Sequence, residues 1–485
     1  MRRLVPLAAV LLGAAALVPA SGQEPAKADT LTRPLTRIAF GSCADQDQPL
    51  PIFDVIVAAK PELFLFLGDN IYADIDPKTN KLVPAAKITA QLIQSKYDVL
   101  RDLPGFKKLK AACPLLATWD DHDFGHNDAG GDFALKDESQ KLFLDFFGAA
   151  PNDPRRTQKG VYTAAEYGPP GKRVQVILLD TRYHRSKLTR AKAPNPGERV
   201  PPYVPNTDPG ATVLGEDQWA WLEAQLKRPA EVRLVASSIQ LVADEHGYEK
   251  WANFPTERER FYELVKKTGA TGVVVLSGDR HHGEISLDAA SAGYPLYDVT
   301  SSGLNQGAKA WRLPDKNSHR IAAMPYGDNF GTVLIDWADA DPRLTLQLRD
   351  EEGDVMSAVK VRLSTLKPSG AAAGPRPKLP AGVLTPAEAA AKNGQRVTVQ
   401  FTVQSTGGQA NLYLNSHRDF KARDNFAVAL TPPAKAGPWA NATGATFQGK
   451  TVRATGTVQV VGGSARIEVT DPAHLVVVEP AKEGP

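Results

Sequence analysis

The chain has 485 residues, of which 42% are hydrophobic and 23% are charged, and its formal net charge is +3. This length exceeds what one hydrophobic core usually holds, so we expect a globular protein of two domains. The nearly balanced charge gives no reason to expect nucleic acid as the main partner.

Residues 1–22 have the composition of a signal peptide. Arg2 and Arg3 precede an apolar stretch over residues 4–19, and the small residues that follow suit a cleavage site. An uncleaved membrane anchor is the alternative, although the stretch is barely long enough to cross a bilayer. We therefore expect an exported protein, periplasmic or extracellular, with no integral membrane segment once the signal is removed.

Five short apolar runs follow, and each stops abruptly at a carboxylate, a histidine or a cysteine. They cover residues 36–43, 62–70, 113–123, 173–182 and 271–282. Runs of this kind are typical of strands buried on both faces of a sheet. Helical spacing of apolar residues lies between them, at residues 52–60, 86–100, 136–147, 215–227 and 256–267. This alternation predicts a layered α/β domain with its functional groups beyond the carboxyl ends of the strands.

From residue 295 the pattern changes to one strand after another. These strands predict a second sheet, so that residues 35–365 form a two-sheet sandwich flanked by helices. Residues 366–383, rich in Pro, Ala, Gly and Lys, are predicted to be a linker. Residues 384–482 carry alternating Val, Thr and Arg between Gly and Asn turns, which predicts a small all-β barrel.

Polar side chains at the strand ends form the candidate site. In chain order they are Cys43, Asp45, Asp69, Tyr72, Asp120, Asp121, His122, Asp123, Asp279, His281 and His282. Any one of them alone is more often a helix cap, a turn residue or a loop histidine, but the pattern recurs at three separate strands. Anionic and imidazole groups packed together need a counter-charge, and a divalent or trivalent cation is the simplest one. Thiolate, phenolate and carboxylate ligands suit Fe3+, carboxylate and amide oxygens suit Ca2+ or Mn2+, and Zn2+ is a further option.

Five sequence blocks occur in a fixed order: "GSCAD", "GDNIYAD", "TWDDHDFGHND", "LLDTR" and "LSGDRHH". Together they resemble the alkaline phosphatase D (PhoD-like) family of metallophosphatases, which has the calcineurin-like fold. The resemblance covers roughly residues 35–365. It implies a metal-dependent hydrolase that cleaves phosphomonoesters, phosphodiesters or both with a metal-activated hydroxide.

The resemblance also implies ligands for an iron-type ion. Cys43, Asp45 and Tyr72 would bind it, and Asp69 would bridge it to a second ion. His281 would complete the set, although the adjacent His282 is able to take the same role. A thiolate bound to metal is protected from pairing with Cys113, whereas a disulfide is the ordinary expectation for two cysteines in an exported chain.

For the second, calcium-type ion the resemblance implies Asp121, Asn127 and Asp279 as ligands. His122 would protonate the leaving oxygen, and Arg182 would contact a phosphate oxygen. Asp123 stands where the family commonly has a glutamate, so the geometry of that turn is left open.

The C-terminal segment resembles an OB-fold-like module, most clearly over residues 449–475. OB-folds often bind oligonucleotides or sugars. The available aromatic residues, such as Tyr413 and Phe447, are more often core residues than stacking surfaces, so the ligand of this module stays open.

Two other functions remain open. One is a phospholipase-D-like diesterase at lipid surfaces, which requires an apolar rim near the site. The other is an inactive metallophosphatase-like binding protein that recognises its ligand through the C-terminal module. The intact set of candidate ligands argues against the second.

Overall fold

The computed structural model describes residues 33–194, 201–310, 315–324, 326–368, 382–408, 410–416, 420, 425–435, 437–448, 450–461 and 464–478. The predicted signal peptide lies outside these residues, as does most of the predicted linker. The chain divides into two compact units, with the division between Ala371 and Ala372. The domain boundaries predicted above stay predictions.

Strands and helices alternate through most of the first unit. Its strands are β1 (Arg37–Gly41), β2 (Leu63–Leu67), β3 (Ile75–Asp76), β4 (Lys81–Leu82), β5 (Leu115–Thr118), β6 (Thr163–Tyr167), β7 (Val174–Leu178), β8 (Thr189–Arg190), β9 (Tyr203–Val204), β10 (Val232–Ala236), β11 (Val273–Ser277), β12 (Gly283–Asp288), β13 (Leu296–Ser301), β14 (Arg320–Met324), β15 (Asn329–Asp336), β16 (Arg343–Asp350) and β17 (Val355–Arg362). Its α-helices are α1 (Ile52–Ala58), α2 (Ala90–Asp102), α3 (Pro104–Ala112), α4 (Asp121–Phe124), α5 (Lys136–Phe146), α6 (Glu216–Leu226) and α7 (Pro255–Thr268).

Two large sheets organise this unit. The six-stranded sheet has the order β17-β16-β15-β1-β2-β5, and the seven-stranded sheet has the order β14-β12-β13-β11-β10-β7-β6. Strands β1, β2 and β5 are parallel in the first sheet, and β7, β10, β11 and β13 are parallel in the second. The predicted α/β architecture with two sheets is confirmed.

Strand β2 shows how the layers pack. Its sequence, LFLFL, is fully buried, and successive side chains of a strand point to opposite faces of the sheet. Leu63, Leu65 and Leu67 belong to one apolar core together with residues of β7, β10 and β11. Phe64 and Phe66 belong to another core with residues of helices α1, α2 and α3. One face of the sheet therefore packs on the second sheet, and the other packs on helices.

The predicted helix over residues 86–100 forms as two pieces. Ala85–Lys87 is a 3-10 turn, and α2 begins only at Ala90, because Thr89 caps it by accepting a hydrogen bond from the N–H of Leu92. Several elements, among them α3, β6, β10 and β12, have no counterpart among the predicted patterns. Helix α3 begins at a proline, which is a common first residue of a helix.

The second unit is mainly β-structure. It contains β18 (Val383–Leu384), β19 (Arg396–Thr402), β20 (Ser405–Gly407), β21 (Leu412–Asn415), β22 (Phe426–Leu430), β23 (Thr451–Val461), β24 (Ser464–Val469), β25 (Leu475–Val477), α8 (Pro386–Ala390) and α9 (Gly444–Phe447). The strands pair in the order β18-β19-β23-β24-β22-β21-β20, and β25 pairs with β23. Among the described residues no pairing closes this path into a barrel, so the OB-like barrel stays a prediction.

Phe426 of β22 and Phe447 of α9 both lie in the apolar core of the second unit. Within the described part of the chain, no helix has the length and apolar character needed to span a bilayer.

Candidate metal centre

The candidate site lies where parallel strands of both sheets end. Cys43 follows β1, Asp69 follows β2, Asp121 follows β5 and Asp279 follows β11. A bridge between Ser42 and Ser302 joins the two sheets at this edge. Polar residues from four distant stretches of sequence therefore meet because the carboxyl ends of parallel strands lie together.

Potential ligand atoms form three groups whose members lie within 4.8 Å of one another. The groups are Cys43–Asp69–His281, Asp69–Asp121–His122 and Asp120–Asp121–Asp279. Asp69 belongs to two of them, and so does Asp121. The three groups are thus connected through shared carboxylates, which is the arrangement that two neighbouring cations require.

Four of these residues have an unusual backbone conformation. The φ angles of Cys43, Asp69, Asp279 and His281 are 63°, 49°, 69° and 55°. Non-glycine residues rarely adopt this left-handed region, and those that do are enriched at functional sites. The backbone at the strand ends therefore turns sharply enough to bring the side chains back over the edge of the sheets.

The residues present fit a metal ion. Burial raises the pKa of Asp69 well above its usual range, and Cys43 and Asp121 raise it further. Burial also raises the pKa of the Cys43 thiol to about 11. Asp121 Oδ1 is buried and has no hydrogen-bond partner among the described residues. Buried anionic oxygens in this state are stabilised by a cation, and thiol, imidazole and carboxylate groups are its usual ligands.

The structure places His281, and not His282, at the site. His281 Nε2 lies 3.2 Å from the hydroxyl of Tyr72, the predicted phenolate ligand. His282 has its Nδ1 2.9 Å from the carbonyl oxygen of Arg280 and its Nε2 3.7 Å from a carboxylate oxygen of Glu284. His282 is therefore engaged by its own neighbours.

His122 is held by a residue that the sequence patterns did not single out. Its Nδ1 lies 2.6 Å from Asp74 Oδ1, and its ring stacks on that of Tyr72 with centroids 4.3 Å apart. Burial opposes the charged imidazole, but Asp121 and Asp69 raise the pKa of His122 well above its usual value. Asp74 also accepts a hydrogen bond from the N–H of Asn127, at 2.7 Å.

Arg182 is completely buried among carboxylates. Its Nε donates to Asp120 Oδ1 at 2.6 Å and its Nη1 donates to Glu249 Oε2 at 2.7 Å. Glu249 also pairs with Arg185, with 2.9 Å between Oε1 and Nε. The structure thus brings Arg182 to the site with hydrogen bonds at Nε and Nη1, while Nη2 has only ion-pair contact with Asp120. Its predicted contact with a phosphate oxygen stays a prediction.

Three predicted residues lie around the groups and outside them. Asp45 is buried, and its Oδ1 accepts a hydrogen bond from the N–H of Asp47 at 3.0 Å. Asn127 precedes Asp128, whose N–H donates to Asp121 Oδ2. Asp123 Oδ1 accepts from the N–H groups of Asp69 (3.2 Å) and Asp120 (2.6 Å), so Asp123 fixes the backbone of the ligand loops.

Cys43 and Cys113 are both free and buried. The thiol of Cys43 donates to Asp69 Oδ2 at 3.3 Å, and its sulfur lies 3.1 Å from the hydroxyl of Ser302. Ser302 accepts a hydrogen bond from the N–H of His281 at 2.8 Å, so it connects two predicted ligands of the first ion. Ser302, Asp74 and Glu249 are the residues of the site that the sequence patterns missed.

Comparison with known proteins supports the family that the five sequence blocks resemble. The family model for PhoD-like phosphatases, which are metal-dependent, matches residues 38–290. Alkaline phosphatase D from Bacillus subtilis (strain 168) is 27% identical over 280 residues, which are 51% of this chain and 46% of that protein. The match therefore spans about half the length of this curated relative.

A solved structure of PhoD has a TM-score of 0.52 and 20% sequence identity to this chain. The match covers 71% of this chain and 74% of the PhoD chain. This likeness concerns the fold. The family match, in contrast, extends over half of the sequence and includes all of the strand ends that form the site. The chain belongs to the PhoD-like phosphatase family.

Proposed function

We propose that this protein is an exported, metal-dependent phosphoesterase that hydrolyses phosphomonoesters, phosphodiesters or both. The observation that carries the proposal is that Asp69 shares one group of potential ligands with Cys43 and His281 and another with Asp121 and His122. A carboxylate shared in this way suits a pair of cations, and a pair of cations suits the clamping and hydrolysis of a phosphate ester.

Two kinds of ion suit the two halves of the site. Cys43, Asp45, Tyr72 and His281 would hold an Fe3+ ion, since thiolate and phenolate are polarisable ligands. Asp121, Asn127 and Asp279 would hold Ca2+, with Mn2+ or Zn2+ as alternatives, and Asp69 would belong to both sets. When bound, the ions would supply positive charge to the phosphate oxygens and lower the pKa of a water molecule.

His122 is the proposed proton donor for the leaving oxygen. Its contact with Asp74 through Nδ1 leaves Nε2 as the nitrogen that faces a substrate. Asp74 holds the ring in that orientation, and the stacked ring of Tyr72 limits its rotation. A proton supplied at a fixed position accelerates departure of a poor leaving group.

The role that we propose for Arg182 differs from the expected contact with a phosphate oxygen. It has no exposed surface, and its Nε and Nη1 already donate hydrogen bonds to Asp120 and Glu249. We therefore propose that Arg182 fixes Asp120, which neighbours Asp121 and Asp279, and that the bound ions provide the positive charge at the phosphate.

Export and the C-terminal unit complete the proposal. The charged and apolar pattern of residues 1–22 supports secretion to the periplasm or the outside, and fractionation of cells expressing the full chain tests it. The second unit is proposed as an accessory module, with no ligand assigned.

The test uses protein stripped with a chelator and reloaded with Fe3+ and Ca2+, or with Mn2+ or Zn2+. Elemental analysis measures the bound ions, an absorption band reports phenolate bound to iron, and aryl phosphate mono- and diesters report hydrolysis. We expect two ions per chain and turnover that disappears and returns with them. Turnover that is unaffected by complete removal of metal would overturn the proposal.

A further inference from the structure

A cavity of about 720 Å3 lies beside the candidate metal centre, which is within the usual size range of small-molecule sites. Its walls come from three places: residues 85–88 near the start of α2, the segment of residues 126–135 after α4, and residues 185–190 with Tyr203. None of the residues proposed above as ligands or proton donor lines it, so it is distinct from the centre itself.

Two contacts connect the cavity to one side of the metal centre. Asp128, which lines the cavity, donates its backbone N–H to Asp121 Oδ2. Phe133, another wall residue, packs against Phe124 of α4 with ring centroids 5.4 Å apart. Helix α4 is the element that carries Asp121 and His122. The cavity therefore borders the helix that carries Asp121 and His122.

The charged groups around the cavity are already paired. Lys187 lies 3.1 Å from Asp132, and Arg190 lies 3.4 Å from Asp128 and stacks on the ring of Tyr203. Pairs of opposite charge leave little free positive charge for a second phosphate group. The hydroxyl of Tyr203 donates to Asp128, so it is also engaged.

Apart from His126 and from Arg185, which pairs with Glu249, the remaining wall is apolar. It is formed by Ala85, Ala86, Ile88, Ala129, Phe133, Ala134, Leu135 and Leu188. Lys187 and Asp132 have 78% and 57% of their side-chain surfaces exposed, so this end of the cavity opens to solvent. A ligand would thus enter past an ion pair and place an uncharged, apolar body against the alanines and the phenylalanine.

We infer that this cavity holds the leaving alcohol of the phosphate ester, and that it selects alcohols with an aromatic or alkyl body and no charge. The inference rests on the proposed function, because it takes His122 as the donor of the proton to the leaving oxygen. The departing oxygen must lie next to that donor, and the cavity beside helix α4 has room for the body of the alcohol. Apolar contacts in such a pocket favour a fitting substituent by about 10- to 200-fold.

Benzyl phosphate and methyl phosphate test this, because their alcohols are of similar acidity and differ in size. Ala86 is exposed, so Ala86→Trp fills the cavity without disturbing a core, and Lys87→Trp is the matched control because Lys87 is exposed and does not line the cavity. We expect wild-type kcat/KM to be higher for the benzyl ester, and the benzyl-to-methyl ratio to fall about tenfold in Ala86→Trp but not in Lys87→Trp. Ala134→Trp, at another exposed wall position, is the second filling variant.

Equal losses for both esters, or an unchanged ratio in both filling variants, would overturn the inference. Calorimetry of benzylphosphonate and methylphosphonate binding to metal-loaded protein tests the cavity independently of hydrolysis, and so separates this inference from the proposed function. If neither ester is hydrolysed, the proposed function fails, and weaker benzylphosphonate binding by Ala86→Trp alone would still support the cavity as a site for this group. Equal binding of both phosphonates to wild type and variants would overturn it.

Discussion

Asp69 and Asp120 are buried carboxylates that follow neighbouring strands, β2 and β5, but their partners differ. Asp120 receives hydrogen bonds from Arg182 and Ser238, and Arg182 is in turn held by Glu249. Asp69 receives a thiol proton and one backbone N–H, at 3.3 Å each, and within the described residues it has no ion pair with an arginine or lysine. The protein thus pairs Asp120 with a buried arginine, whereas Asp69 interacts with the His122 imidazole, and we expect Asp69 to depend more on a bound ion.

The largest expected effect is that of Asp69→Asn. Loss of the shared carboxylate should remove both ions and lower kcat/KM by more than about a thousandfold, because two sets of ligands lose the same member. Elemental analysis and ester hydrolysis measure the two effects. Asp102→Asn, at an exposed carboxylate, is the control and should keep both the metal content and the hydrolytic activity. Full metal content and turnover in Asp69→Asn would place the bridge elsewhere.

Glu249→Gln tests the buried arginine that pairs with Asp120. Arg182 and Arg185 would lose their shared anion while staying buried, so the free energy of unfolding should fall by about 3 kcal/mol. Urea denaturation of metal-free protein measures this. The exposed Glu259→Gln is the matched control and should change stability by less than about 0.5 kcal/mol.

The same denaturation experiment on metal-free Asp69→Asn measures how far the folded protein depends on Asp69. This variant should lose far less stability than Glu249→Gln, because Asp69 pairs with no arginine or lysine among the described residues and His122 keeps Asp74 and Asp121 as anionic neighbours. A loss as large as that of Glu249→Gln would mean that the protein itself compensates Asp69 and that the contrast is wrong.

Asp74→Asn should lower kcat for alkyl phosphates by about 10- to 100-fold, a part of what a general acid supplies. Hydrolysis of 4-nitrophenyl phosphate should fall less, because its leaving group departs without full protonation. In a His122→Ala background, Asp74→Asn should have no further effect. Additive losses in the double variant would show that Asp74 does not act through His122.

The smallest expected effect is that of Ser302→Ala. Since the Cys43 thiol donates to Asp69, the Ser302 hydroxyl is the donor toward the sulfur, at 3.1 Å. Removal of this hydroxyl should lower the affinity for the iron-type ion about tenfold and shift the absorption band of the iron-loaded protein. Ser42→Ala is the control, because its hydroxyl lies 3.5 Å from the sulfur and donates to Ser301. Equal shifts in both variants would contradict a specific role of Ser302.

The sequence marks the candidate ligands better than the residues that support them. Cys43, Asp69 and Asp279 follow apolar runs, so a local pattern marks them. Asp74 is near Asp69 in sequence, but its role depends on His122, which is 48 positions away. Glu249 follows no strand and meets Arg182 only through long-range packing, so no local pattern marks it.

Strand β10 is a further case. Its sequence, VRLVA, is interrupted by Arg233, although all five residues are buried. Arg233 Nη1 donates to the carbonyl oxygens of Ala230 and Thr271, at 2.9 and 2.7 Å, which satisfies that nitrogen inside the protein. An arginine whose partners are backbone carbonyls breaks the apolar pattern without breaking the strand.

The left-handed backbone at Cys43 and His281 has a consequence for evolution and engineering. Glycine adopts this conformation at little cost, whereas other residues lose about 1 kcal/mol or more. Selection for heat resistance alone would therefore favour glycine at both positions and erase the thiol and the imidazole. These side chains persist only while catalysis is also under selection, so a thermostabilised descendant needs an activity screen at every round.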